Sequence, residues 1–214
     1  MITYTSPQGS PEWLAERRGV ITGSRFADAR AKPKSGAPSK DCLNYAMDLA
    51  RERIGGSVMP TFANAAMRMG TEQEPFARMA YERDSGTFVI EAGFIATDDR
   101  KFGVSVDGLI DDLGIYECKT MVSSATLFKA VVKGDISAYT DQCEGCMWLL
   151  QRDWVDLHLW VPDLPQFSKV IRITRDDDRI ETLEKDLLWF DGLVSEFESQ
   201  LRKVAPAPAT ATTF

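Results

Sequence analysis

Asp107 and Glu117 stand ten positions apart in VSVDGLIDDLGIYECKT, residues 104–120, and Lys119 follows Glu117 by two. In an extended strand side chains alternate between faces, so Glu117 and Lys119 share one face while Cys118 points the other way. Asp107 precedes the turn sequence DDLG by roughly the span at which Glu117 follows it, so hairpin pairing brings the two carboxylates together. Carboxylates held that close repel, and one pKa rises unless a cation sits between them. An oxygen-only site suits a hard divalent cation such as Mg²⁺, which keeps several of its waters. Beside such an ion the Lys119 ammonium would orient water, stabilise charge on a phosphate, or take a proton if its own pKa were lowered. These are the parts needed for phosphodiester hydrolysis. The same spacing also fits a turn-rich hairpin with Glu117 and Lys119 in a solvent-facing row, and periodicity does not separate the two.

The elements that must hold these residues follow from pattern. A short helix is predicted around PEWLAERRGV and a second in TGSRFADARA, with Thr22 or Ser24 as its cap, before the loop KPKSGAPSK. From Asp41 onward Leu43, Ala46, Met47, Ala50 and Ile54 recur at helical spacing until Gly55-Gly56. TEQEPFARMAYERDSG opens with Thr71 and Glu74 as a capping box, carries Pro75 in its first turn and closes on Gly86. The period then shortens to two in TFVIEAGFIA, FGVSVDGLI and GIYECKTM, separated by TDDRK and DDLG, as in an antiparallel meander. Helices return in SSATLFKAVVKG and in SAYTDQCEGCMWLLQ, where Ala138, Cys143, Cys146, Met147 and Leu150 should face the core. DWVDLHLWVP and FSKVIRIT read as strands. A last helix should run from about Asp178 to Arg202 on Ile180, Leu183, Leu187, Phe190, Val194, Phe197 and Leu201, and the end, APAPATATTF, reads as a disordered tail. The order implies an α/β sheet with helices on its faces.

A chain of 214 residues with 44% apolar content can bury one full core, so a single domain is expected. No apolar run approaches a membrane span and the N-terminus lacks a signal-peptide pattern, so a cytoplasmic protein is expected, with no membrane partner. The net charge of −7 is unevenly spread. Residues 1–40 hold seven basic and three acidic groups, a balance of +4 that leaves −11 for the rest. A basic N-terminal region that meets an anion, beside an acidic body that gathers metal, fits this asymmetry, and so does an ordinary solvated surface.

Asp107 followed by Glu117-Cys118-Lys119 resembles the D…(D/E)xK signature of the PD-(D/E)xK nucleases, with Val106 where that name has Pro. Three other segments, in the same order, resemble the phage lambda exonuclease family, also called the YqaJ-type viral recombinases. WLAERRGVITGSRF is similar to its W…R-x-G-x-I-T-x-S element, and MGTEQEPFAR to its G-x-x-x-E helix. DQCEGCMW is similar to its Q-x-Q-x-x-M-W helix, with Glu144 in place of the second Gln. With SVDGL and YECK the resemblance spans about residues 13–150, while the final sixty or so agree only in general character.

The resemblance implies a restriction-endonuclease-like core, with a mixed central sheet flanked by helices. It implies one nuclease domain over residues 1–202, with basic DNA-end-binding helices in 1–40 and a catalytic core in 71–161. Asp107, Glu117 and the Cys118 carbonyl would bind the principal metal, Glu74 would complete the shell toward a second, and Lys119 would activate water. Two Mg²⁺ ions per site are implied, with Mn²⁺ as a substitute. Arg17 matches the Arg that holds the 5′-phosphate of the trimmed strand, with Ser24, Ser105 and Gln142 lining the same pocket. A guanidinium suits that task because it bonds two phosphate oxygens at once. Family members digest one strand of linear duplex DNA from a 5′ end and leave 3′ overhangs for a single-strand annealing protein. Their best-known member is a ring-shaped homotrimer. Met67 would be a strand-separating wedge or a core residue. The enzyme alternative is a restriction-type endonuclease with the same metal core. The other is a DNA-end-binding protein without catalysis.

Cys42, Cys118, Cys143 and Cys146 equal in number the ligands of iron–sulfur nucleases, but Cys143 and Cys146 fall in an amphipathic helix and are expected in the core. The single histidine, His158, has no second His or Cys at ligand spacing and is expected to be structural. No Walker loop is present, so ATP dependence is not expected.

Overall fold

The computed structural model describes residues 1–31, 36–57 and 65–204, apart from the side chain of Met67. The tail from residue 205 onward and the wedge assignment for Met67 therefore lie outside the described residues. In chain order the elements are β1 (Ile2–Thr3), α1 (Pro11–Glu16), β2 (Ile21–Thr22), a 3₁₀ turn at Gly23–Arg25, α2 (Phe26–Ala29), α3 (Lys40–Arg53) and α4 (Ala65–Ser85). Strands β3 (Phe94–Ala96), β4 (Phe102–Ser105), β5 (Gly108–Ile110) and β6 (Gly114–Thr120) follow, then α5 (Ser124–Thr126) with a π-helical continuation through Val132. The chain finishes with α6 (Ser137–Leu150), β7 (Trp154–Trp160), β8 (Lys169–Thr174) and α7 (Asp177–Val204).

The expected central sheet is realised as two four-stranded mixed sheets, ordered β1-β3-β4-β2 and β5-β6-β7-β8. β6 and β7 are parallel, which requires a crossover, and α5 and α6 supply it. The predicted meander breaks between Ser105 and Gly108, where the chain leaves one sheet and enters the other. Asp107 sits at that step. Gly108 is obligatory beside it: a Cβ there would meet Val89 Cγ1 at 2.1 Å, because the segment at Ile90 crosses to bridge Leu109.

Local chemistry explains most helix starts. Ser10 caps α1 by accepting from Trp13 N–H at 3.1 Å, with Pro11 in the first turn, and Ser39 caps α3 through Cys42 N–H at 3.0 Å. Three sequence expectations shift. Neither Thr22 nor Ser24 makes a capping bond; the 3₁₀ turn intervenes and Arg25 occupies the cap position before α2. Helix α4 starts six residues before Thr71, so Thr71 and Glu74 lie within the helix rather than forming a capping box, and Pro75 lies inside it too. The buried face of α3 is Cys42, Tyr45, Ala46, Leu49 and Ala50, with Met47 and Ile54 exposed. Tyr45 belongs inside because its ring stacks on Phe190 of α7 at 5.2 Å and its hydroxyl accepts Thr22 N–H at 3.1 Å.

On α6 Cys143, Cys146 and Met147 are buried as expected, but Ala138 is exposed and Leu150 only half-buried. Helix α7 carries Ile180, Leu183, Leu187, Phe190 and Val194 in one core with α2, α3 and α6, while Phe197 is half-buried and Leu201 exposed.

Candidate active site

The β5–β6 register pairs Gly108 with Tyr116, which sets Asp107 opposite Glu117 just beyond the end of the hairpin. Asp107 Oδ2 accepts the Cys118 N–H at 2.7 Å, so the first carboxylate is fixed by the backbone of the strand that carries the second. Glu117 is buried; its Oε1 accepts from Lys119 Nζ at 2.7 Å and from Gln142 Nε2 of α6 at 2.6 Å. Its other oxygen, Oε2, is buried with no hydrogen-bond partner. A buried carboxylate oxygen left unpaired is costly, and a cation is the natural partner for it.

The charges show the strain. Burial, then Glu117, pushes the Asp107 carboxyl well above the ordinary carboxylate range. Glu74, half-buried on α4, is raised by burial and by Glu117, against the pull of Arg78. Burial alone would lower the Lys119 ammonium, but the attraction of Glu117 and Asp107 outweighs it and the net shift is upward. Beside these two carboxylates Lys119 is held as a cation, the form that suits orienting water or stabilising charge on a phosphate. Among the described residues no three His, Cys, Asp or Glu groups already stand at ligating distance round one point. Glu117 is instead drawn toward Lys119 and Gln142, so the expected carboxylate trio shares a neighbourhood without forming a closed ligand cluster. The donor chemistry fits a hard divalent cation: Asp107, Glu117 and the Cys118 carbonyl offer only oxygen, Glu117 Oε2 lacks a partner, and Glu74 stands within their electrostatic reach.

Asp107 and Glu74 open on a cavity of about 440 Å³ whose wall also holds Trp13, Ser105, Arg78 and Glu91. Arg17 lies behind two of these residues. It donates to Ser105 Oγ at 3.1 Å and its guanidinium lies 4.2 Å from the Trp13 ring centroid and 5.4 Å from that of Phe94. Among the described residues no carboxylate pairs with it, and burial pulls its pKa down to about 10. Its position follows from the turn after α1. Gly19 adopts φ +72°, its N–H donates to Glu52 Oε2 at 2.8 Å, and its carbonyl accepts from Arg53 Nε at 2.9 Å, which turns the chain into β2.

Four of the proposed site residues, Asp107, Glu117, Lys119 and Glu74, are thus brought together, and Arg17 joins Ser105 of the same cavity wall. Gln142 lies with Glu117, not with Arg17. Ser24 is exposed on the 3₁₀ turn and is not part of the cavity wall. Glu144 turns from the site and pairs with Arg179 of α7 at 2.7 Å. The basic surplus of residues 1–40 is partly spent inside the fold, since Arg30 ties Asp141 and Asp186 together at 2.8 and 3.0 Å. Trp13 and Arg78 were not singled out from sequence, yet each stands four residues from a key partner on its helix, Arg17 and Glu74, a spacing that places side chains together.

The Cys118 side chain packs with Tyr81 and Tyr116, and none of the four cysteines is in a disulfide. His158 is buried, with Nδ1 3.0 Å from the Tyr116 hydroxyl. No helix among the described residues is long and apolar enough to cross a membrane.

The model of the YqaJ-like viral recombinase domain matches residues 12–152. Among solved structures, the chain is similar to an alkaline exonuclease, LHK-Exo, from Laribacter hongkongensis, at 33% identity and a TM-score of 0.79 over 91% of this chain and 97% of that one. The complex of LHK-Exo with dAMP gives the same identity and coverage with a TM-score of 0.80. A phage related exonuclease from Haemophilus somnus 129PT shares the fold at 15% identity, with a TM-score of 0.66 over 86% of this chain and 95% of that one. No curated protein sequence matches.

Proposed function

The chain belongs to the YqaJ-like viral recombinase family, and from that premise we propose that it is a Mg²⁺-dependent exonuclease that digests one strand of linear duplex DNA in the 5′→3′ direction. The overhang left behind would be the substrate of a single-strand annealing protein, and a homotrimeric ring would keep the enzyme on its DNA. The observation that carries this reading is one cavity wall that holds two unlike groups. Asp107 and Glu74 stand on it beside the buried, half-partnered Glu117, and Trp13 and Ser105, on the same wall, hold an arginine without a carboxylate. Cation-seeking and anion-seeking groups round one cavity fit a phosphodiester and a terminal phosphate.

Asp107, Glu117 and the Cys118 carbonyl would hold the principal cation, with Glu74 toward a second. When bound, such ions neutralise charge on phosphate oxygens and acidify water. Lys119, charged and bonded to Glu117, would stabilise negative charge on the scissile phosphate, and Gln142 would fix the orientation of Glu117. Arg17 would take the 5′-phosphate with both nitrogens, its ring stacking keeping the guanidinium plane fixed while Ser105 leaves it a neutral partner. LHK-Exo binds dAMP, and a deoxynucleoside monophosphate is the product expected here.

Linear and covalently closed circular plasmid should be incubated with Mg²⁺ in parallel. The linear form should be consumed and the circle left intact. Cutting of the circle would contradict an end-dependent enzyme and favour the endonuclease reading. Arg17→Ala should erase any preference for 5′-phosphorylated over 5′-hydroxyl ends.

A further inference from the structure

The wall of the cavity holds one more cation, Arg78, which no step above uses. It follows Glu74 by one helical turn on α4, its side chain is 21% exposed, and Nη2 lies 2.5 Å from Glu91 Oε1. Glu91 is 74% exposed, so water competes for it and the pair is worth little. Otherwise the wall is acidic, with Glu74, Glu91 and Asp107 all on it. A polyanion entering such a cavity needs positive charge on both sides, and Arg17 stands only behind Trp13 and Ser105. Resting on the exonuclease reading, we propose that Arg78 is a substrate-holding residue that binds a DNA backbone phosphate beside Glu74, and that Glu91 occupies it only while no DNA is present.

Three features support the exchange. A guanidinium offers a bidentate edge to phosphate and loses little by leaving an exposed carboxylate. The helix fixes Arg78 relative to Glu74, so a phosphate held by the arginine is placed one turn from the Glu74 carboxylate. Glu91 raises the Glu74 carboxyl while Arg78 lowers it, which places all three charges in one electrostatic group.

The test compares Arg78→Ala, Arg78→Lys and Glu91→Gln in the full-length protein. Binding of a 5′-phosphorylated duplex is followed by fluorescence anisotropy without added metal across a salt series, and digestion is followed with Mg²⁺. Arg78→Ala should weaken binding about ten- to hundredfold. It should also reduce the slope of log affinity against log salt by about one. Arg78→Lys should restore part of the affinity, and Glu91→Gln should tighten binding by about twofold or more because it removes the competitor. A merely structural ion pair would respond differently: both changes would lower the melting temperature, and both would shift binding in the same direction. That result, or an unchanged salt slope in Arg78→Ala, overturns the proposal while wild-type digestion still upholds the exonuclease. Wild-type protein that neither binds nor digests DNA ends would remove both.

Discussion

Asp107 and Glu117 are each a poor carboxylate for a metal-free protein. One is raised by burial and by its neighbour, and the other has an oxygen with no partner. Ionised Asp107 therefore costs stability at neutral pH. A carboxyl whose pKa is raised on folding is best tolerated below its unfolded pKa, and that tolerance is lost as pH rises through the folded value. Asp107→Asn keeps an oxygen to accept Cys118 N–H and removes the charge, so it should stabilise the metal-free protein by about 1 kcal/mol. The same change should abolish the rise in melting temperature that millimolar Mg²⁺ or Mn²⁺ is expected to produce in the wild type through linkage. A calorimetric scan of both proteins with and without metal checks the pair of effects; a metal-induced shift that survives in Asp107→Asn would take Asp107 out of the ligand set. At this scale the sequence was most legible where spacing is local. Asp107 to Glu117 is a hairpin and Glu117 to Lys119 is one strand face, and both were read correctly. The places of Gln142, beside Glu117, and of Ser24, exposed on its turn, are not legible in this way, because the side of a helix or turn that meets the site depends on packing from distant segments.

Among the elements, α7 and β7 hold buried charge that the pattern of apolar residues does not reveal. Asp191, in the middle of α7, is buried with Arg53 Nη1 at 2.8 Å from Oδ1 and Lys101 Nζ at 2.9 Å from Oδ2. The Arg53 contact is a charge contact without hydrogen-bond alignment, since Asp191 Oδ1 has no hydrogen-bond partner. It still links α7 to α3, whose Arg53 also holds Gly19 and so the turn behind Arg17. Asp191→Ala leaves Arg53 without its neutralising charge and should cost about 3 kcal/mol in urea unfolding. A loss below about 0.5 kcal/mol would show the pair to be dispensable.

On β7, His158 lies among Tyr81, Tyr116 and Trp160, with Asp156 two residues before it, paired to Arg172 of β8, and Asp84 acting on it as a charge. Burial, opposed by Asp84, lowers its pKa from 6.5 to about 4. A histidine with a depressed folded pKa is fully tolerated above the unfolded value. Stability then falls as pH drops from about 6.5 to about 4, by roughly 3 kcal/mol in all. His158→Gln should flatten that part of the stability profile, and an unchanged acid limb would show that other groups set it. The capping box is the corresponding lesson for elements. Thr71 and Glu74 have the right spacing, but α4 continues upstream of them, which frees Glu74 for the site.

At the scale of the whole molecule, the α/β class and the helix–strand order were legible from periodicity, while the division into two sheets was not. That division rests on the step at Val106-Asp107 and on pairings such as β2 with β4, which join residues some eighty positions apart. The same step sets the Asp107 carboxylate at the end of one sheet and the start of the other, facing a cavity walled by α1 and α4. The proposed ring predicts sedimentation at the mass of three 23.9 kDa chains, and a monomer at micromolar concentration would contradict it. The most direct measurement is a digestion time course of one linear duplex labelled separately at each 5′ and 3′ end, with Mg²⁺ and with excess chelator. The account predicts that 5′ label leaves first as mononucleotide while 3′ label stays on long strands, that chelator stops it, and that Lys119→Ala does not release label. Early release of 3′ label, or digestion that persists in chelator, would contradict it.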